Sequence, residues 1–152
     1  ELKNYNIKSI LCHGTRSGEE QKLFKNAFNC YIMGSELSEK AILAGMTKIW
    51  DFNKRNEEWV NMFDIVYTNS FDHSITPMET LAVWKDQLKS TGRLLIDWSD
   101  TQNGMGVIAS DPLNATEKEL IEMASKVGLY LERKISERKT KHGGTILAFM
   151  KT

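Results

Sequence analysis

Proline and cysteine are scarce, with two of each in 152 residues. Two cysteines close at most one bridge, so neither a disulfide framework nor an oxidising compartment is indicated. An excess of charge of one sign is also lacking. Twenty Lys and Arg offset twenty Asp and Glu, giving a formal net charge of zero and a pI near 7.1. A chain so balanced has no global field to gather nucleic acid or an anionic membrane. No apolar run approaches the ~18 residues of a membrane span, and Glu1 to Ile10 lack the apolar core of a signal peptide. There is no internal repeat, linker or low-complexity tract. What is present, 41% hydrophobic and 26% charged residues, is ordinary globular composition. The expectation is one cytoplasmic domain over residues 1–152, with no nucleic-acid or membrane partner.

Two kinds of apolar periodicity alternate along the chain. Lys8 to His13, Cys30 to Met33, Thr47 to Trp50, Phe63 to Thr68 and Arg93 to Trp98 are short apolar runs that suit buried strands. Between them lie helical signals. Ser17-Gly18-Glu19-Glu20 has the form of a capping box ahead of Leu23, Phe24, Ala27 and Phe28. Ser38 is placed to cap a helix through Ala44, with Gly45 at its end. The polar stretch Asn53 to Asn61 is a short helix or turn. Thr76-Pro77-Met78-Glu79 opens a helix carrying Leu81, Trp84 and Leu88 and stopping near Thr91-Gly92. Thr116-Glu117-Lys118-Glu119 is another capping box, ahead of Leu120, Ile121, Ala124 and Val127. The end differs: Leu129 to Ser136 and Thr145 to Lys151 are two strands with only a polar loop between them. Alternation of strand and helix predicts an α/β fold with a mostly parallel sheet covered on both faces, closed by an antiparallel hairpin.

In such a sheet a ligand lies beyond the carboxyl ends of the strands. His13-Gly14-Thr15-Arg16-Ser17-Gly18 follows the first strand and runs into a helix N-terminus, whose unpaired N–H groups receive polar or anionic groups; helix capping alone also accounts for Ser17 and Gly18. Glu36 follows Gly18 by 18 positions, near the ~20-residue spacing at which a carboxylate accepts both ribose hydroxyls of a nucleotide. Asp51, at the end of the third strand, is suited to accept from an exocyclic amine such as that of adenine.

In that combination the chain resembles a class I S-adenosylmethionine-dependent methyltransferase over nearly its whole length. Ile10-Leu11-Cys12-His13-Gly14-Thr15-Arg16-Ser17-Gly18 is similar to the family's first motif, a strand leading into a Gly-x-Gly-x-Gly turn. Gly34-Ser35-Glu36-Leu37-Ser38 resembles the ribose-binding segment, and Trp50-Asp51-Phe52 the strand end that holds the adenine amine. Phe63 to Asn69 resembles the fourth-strand motif, and Lys89 to Ile96 the crossing into the fifth strand. The resemblance implies a Rossmann-like, seven-stranded mixed sheet whose last strand is antiparallel. It implies S-adenosyl-L-methionine as cofactor, held by His13, Gly14, Thr15, Arg16, Gly18, Glu36, Leu37, Asp51, Phe52 and Asn69. Two positions depart from the family: Cys12 stands where an acidic residue is usual, and Arg16 where the middle glycine is. Cys12 reads as a small core residue; Arg16 is either a donor to the cofactor carboxylate or a solvated charge.

For the chemistry, the loop after the fourth strand offers His73 as a base working near neutral pH, with Asp72 to orient it or act in its place. Ser70, Asp97 and Trp98 would wall the pocket of a small-molecule methyl acceptor, Trp98 either as a stacking surface or as a plain core or rim aromatic. Trp59 and Trp84 read as packing residues. No metal site is expected. Two other functions remain compatible with the residues: a nicotinamide-dependent oxidoreductase sharing the ribose carboxylate, and a non-catalytic Rossmann-like module.

Overall fold

The computed structural model describes residues 6–44, 46–99, 112–138 and 144–152. Its strands are β1 (Ser9–His13), β2 (Tyr31–Glu36), β3 (Thr47–Ile49), β4 (Phe63–Thr68), β5 (Leu88–Ser99), β6 (Leu129–Arg138) and β7 (Gly144–Lys151). Its α-helices are α1 (Glu19–Ala27), α2 (Pro77–Gln87) and α3 (Glu117–Lys126). The seven strands form one sheet in the order β3-β2-β1-β4-β5-β7-β6. β1 to β5 are mutually parallel, and β7 runs antiparallel between β5 and β6.

Successive residues of a strand face opposite sides, and the core divides accordingly. Leu11, Val66, Leu94, Ile96 and Phe149 pack with Leu81, Trp84, Leu120 and Ala124 of α2 and α3. On the opposite face Ile10, Cys12, Ile32, Ile65, Leu95 and Ala148 pack with Phe24 of α1 and with Phe28 just beyond it. Cys12 is a fully buried core residue, and both cysteines are unbridged. Burial in apolar surroundings raises the Cys12 thiol pKa far above its usual value, Glu20 adding to the effect.

The Thr116 box forms in full: the Glu119 amide donates to Thr116 Oγ1 (3.2 Å), and the Thr116 amide donates to Glu119 Oε2 (2.7 Å). The Ser17 box does not form. α1 begins at Glu19 with Gly18 as its cap, left-handed at φ 76°, and no side chain caps it. The Gly18 amide donates to the Thr15 carbonyl (2.7 Å), which closes a tight turn and carries Ser17 past the capping position. The segment expected as a second helix is a 3-10 helix over Glu39–Ala44, and Gly45 lies outside the described residues. Another 3-10 turn, Glu57–Trp59, is capped by the Asn56 side chain. α2 stops at Gln87, five residues short of the expected end, because Leu88 pairs with Phe63 at the start of β5. Lys89–Gly92 then bulge before the ladder resumes at Arg93 opposite Ile65.

One residue ties the centre together. His13, at the end of β1, is 1% exposed. Its Nε2 donates to Gln87 Oε1 of α2 (2.8 Å), since that oxygen can only accept, which leaves Nδ1 to accept from the Ser35 hydroxyl of β2 (2.6 Å). Its ring stacks on Trp84 at 5.1 Å. Burial without a charged partner pushes its pKa down to about 4, the Gln87 bond opposing only weakly.

The unfolded chain therefore takes up a proton at His13 below about pH 6.5, whereas the folded one does so only near pH 4. Stability contributed by neutral His13 is complete above pH 6.5 and lost as the pH falls towards 4, a difference of about 3 kcal/mol at ~1.4 kcal/mol per pKa unit. Urea unfolding between pH 7 and pH 4 checks this: wild type loses more stability over that interval than His13→Gln, and parallel profiles would contradict it. Thr116→Ala is expected to lower stability by about 1 kcal/mol, with Thr116→Ser close to wild type.

Candidate functional site

The sheet order reverses direction between β1 and β4, and the crevice lies there, at the carboxyl ends of both strands. Gly14 adopts φ +69°, and a Cβ on it would lie 2.6 Å from Ser70 Oγ. Only glycine fits both the left-handed backbone and the close approach. The turn is also bonded sideways, Gly14 N donating to the Ser35 carbonyl (2.9 Å) and Ser70 Oγ to the Gly14 carbonyl (3.4 Å). Arg16 is left-handed as well, at φ 44°, where a side chain is strained.

A cleft of about 390 Å³ opens between this turn, the first residues of α1 and the segment from Asn69 to His73. A second lobe of about 430 Å³ lies against Glu36, Ser38 and Lys40, and Arg16 and Ser17 line both. In the second lobe the Glu36 carboxylate is held by backbone amides. Its Oε2 accepts from Arg16 N (2.8 Å), and its Oε1 from Leu37 N (2.8 Å) and Ser38 N (3.3 Å). These bonds fix the carboxylate at the end of β2 without consuming every acceptor position.

Gly14, Thr15, Arg16, Asn69, Ser70, Asp72 and His73 thus gather around one cleft, with Glu36 across Arg16 in the adjoining lobe. Asp72 is 7% exposed and sits in a 3-10 turn, Phe71–His73, with the half-buried His73 beside it. Asp51 and Phe52 lie at the same edge but line neither lobe. The Asp51 Oδ1 accepts from the Asn53 amide (3.0 Å) and side chain (2.9 Å). Phe52 packs towards Trp84 and His13. Leu37 is 65% exposed, and Gly18 is buried at the head of α1.

The His13 side chain turns into the core, and its backbone belongs to the turn. Two expectations for the acceptor pocket are corrected in position. Trp98 is 2% exposed among the core residues of the α2–α3 face, so its ring offers no stacking surface. Asp97 projects to the opposite sheet face, where it accepts from the Tyr67 hydroxyl (3.2 Å), and it lines neither lobe.

The structure adds Glu19 and Glu20 to the main cleft and Ser38 and Lys40 to the second lobe. The glutamates were hidden by the capping box, which assigned Glu20 to a helix end. Their signal is the glycine before them: once Gly18 is the cap, Glu20 is the second helical residue and its carboxylate is free to face the strand ends. Thr15 is 3% exposed, lines the cleft, and its hydroxyl has no partner among the described residues. A buried hydroxyl in that condition fits a polar ligand at this place.

No protein-family model matches this sequence, and none of the curated proteins matches it. Solved structures do match. A TehB-like SAM-dependent methyltransferase from Corynebacterium glutamicum is 17% identical, with a TM-score of 0.73 over 95% of this chain and 80% of its own. A putative methyltransferase solved in complex with the Haloferax volcanii Trm112 activator is 14% identical, with a TM-score of 0.80 over 99% and 86%. Burkholderia thailandensis 1,6-didemethyltoxoflavin-N1-methyltransferase, solved with 1,6-didemethyltoxoflavin and S-adenosylhomocysteine, is 16% identical, with a TM-score of 0.76 over 99% and 74%. The chain has the Rossmann-like fold of the class I S-adenosylmethionine-dependent methyltransferases, with the antiparallel β7 between β5 and β6.

Proposed function

We propose that this protein is an S-adenosyl-L-methionine-dependent methyltransferase acting on a small-molecule acceptor. The observation that carries the reading is the pairing of Gly14 and Glu36 at adjacent strand ends: a turn that no Cβ can enter, beside a carboxylate held in place by three amides. Glu36 would accept a ribose hydroxyl at the Oε2 position its amide bonds leave open, and Gly14 allows the ligand against the backbone of β1. Asp51 and Phe52, at the same edge just beyond the lobes, are the residues that would border the base, with the Asp51 Oδ2 facing the Lys54 ammonium at 3.9 Å.

The cofactor supplies an electrophilic methyl group on a sulfonium, so the protein chiefly has to hold an acceptor in line with it, an effect of roughly 7–11 kcal/mol. Ser70 is the residue that would meet the acceptor, with Asn69 beside it on the cofactor. His73 and Asp72, on the same side of the cleft, take the proton released by an oxygen or nitrogen acceptor.

Two features support this reading over a nicotinamide-dependent oxidoreductase. The antiparallel β7 belongs to the methyltransferase fold. The N-terminus of α1 carries Glu19 and Glu20, whose charge complements the helix dipole and repels the pyrophosphate that such an end otherwise receives.

Isothermal calorimetry with S-adenosylhomocysteine and with NAD tests the proposal. S-adenosylhomocysteine binds and NAD does not; binding of NAD alone, or of neither, contradicts it. Glu36→Ala weakens S-adenosylhomocysteine binding by roughly 1.5–3 kcal/mol through loss of a charge-assisted contact. Unchanged affinity in a variant with the wild-type circular dichroism spectrum removes Glu36 from the site.

A further inference from the structure

We propose that the methyl acceptor is an amine, its nitrogen held by the Ser70 hydroxyl and the Asp72 carboxylate; this rests on the methyltransferase reading and names the substrate class of that site. The Asn69–His73 side of the cleft is turned to accept hydrogen bonds. Asn69 Nδ2 donates to Glu20 Oε1 (2.9 Å), which fixes the amide with its Oδ1 towards Ser70. The Ser70 hydroxyl has two acceptors in reach, that Oδ1 (2.9 Å) and the Gly14 carbonyl (3.4 Å). Its proton is committed to one of them, so Ser70 Oγ meets a ligand through its lone pairs. The backbone donors here are spent as well. The Ser70 amide donates to Thr68 Oγ1 (3.0 Å), and the His73 amide donates to the Ser70 carbonyl (3.2 Å). The Asp72 carboxylate, 7% exposed, lines the same cleft and adds acceptors alone. Such a set calls for N–H donors on its ligand.

Charge gives the same answer. Glu19, Glu20 and Asp72 line the cleft with Arg16, and Lys22 outside it answers Glu19 (2.7 Å). Three carboxylates against two cations leave an excess of negative charge. The amine arrives as its ammonium and gives one proton to His73 or to water, which frees the lone pair. That pair attacks the methyl carbon: the C–N bond forms as the C–S bond breaks, and the electron pair of the broken bond stays on sulfur. Positive charge thus passes from sulfur to nitrogen, where the product keeps it as an N-methylammonium. Carboxylates already in place stabilise that charge as it develops. A phenol or a carbon acid would instead have to build negative charge beside the buried Asp72, where like charges repel. An independent sign that a polar ligand fills this cleft is Thr15, 3% exposed, whose hydroxyl has no partner among the described residues.

Calorimetry on the protein saturated with S-adenosylhomocysteine tests this with two series of probes, each sharing a body and differing in the head group. One is benzylamine, benzyl alcohol and benzoate; the other is butylamine, butanol and butyrate. In each series wild type binds the amine about tenfold more tightly than the alcohol, the scale of one charge-assisted bond, and the carboxylate more weakly still. Asp72→Asn loses about tenfold for the amines and nothing for the alcohols. Its affinity for S-adenosylhomocysteine is unchanged, which also reports a folded protein. An alcohol or carboxylate that binds as tightly as its amine overturns the proposal, as does failure of both amines to bind. Full amine affinity in Asp72→Asn overturns it too, and parallel loss of amine and S-adenosylhomocysteine marks a structural role and does the same. Each of these results leaves S-adenosylhomocysteine bound to wild type and the cofactor site standing. Failure of wild type to bind S-adenosylhomocysteine removes the methyltransferase reading and this proposal with it.

Discussion

The close approach of two turns, one after β1 and one after β4, fixes the geometry of everything at the carboxyl edge. Gly14 sits with its α-carbon against Ser70, leaving no room for a β-carbon, and its amide bonds to β2 on the other side. Immediately before it, His13 anchors β1 inward to β2 and to α2 through two hydrogen bonds and a stacked indole. The strand end is therefore clamped from the core below while its turn is pressed against the neighbouring loop above. A turn so constrained presents its backbone at a defined place, and the cleft is the space this leaves between β1, β4 and the head of α1.

Charge divides that space. Backbone amides hold Glu36 in one lobe, and in the other Asn69 holds Glu20. Arg16 stands between them as the one basic residue, among the described residues, lining both lobes. The acidic first turn of α1 is matched to the dipole of its own helix, so this end is not the open anion site that a glycine turn before a helix commonly makes.

Much of the fold was legible in the sequence because local and global preferences agree there. Each of the seven apolar runs carries a strand, although β2, β5, β6 and β7 extend beyond theirs; Thr116 and Glu119 form the box their spacing predicts, and Trp59 and Trp84 pack in the core. The failures occur where tertiary contacts override a local pattern. Ser17 and Glu20 have capping-box spacing, but Gly18 takes the left-handed conformation and moves the helix start past Ser17. Leu88 fits the apolar stripe of α2, yet it is buried against Phe63 as a strand residue. Of the site, Gly14, Glu36 and the Asn69–His73 segment were readable because strand ends announce themselves through polar punctuation. The direction in which His13, Asp97 and Trp98 point was not, since alternation along a strand fixes opposite faces but not which of them meets a cleft.

In the proposed function the β1 turn and the β2 carboxylate together grip the adenosine of S-adenosylmethionine. A titration of ¹⁵N-labelled protein with S-adenosylhomocysteine, followed by amide chemical shifts, addresses it residue by residue. The largest shifts are expected at the amides of Gly14, Arg16, Leu37 and Ser38, the last three being those that hold Glu36. Saturating shifts that leave these four amides unmoved would contradict it.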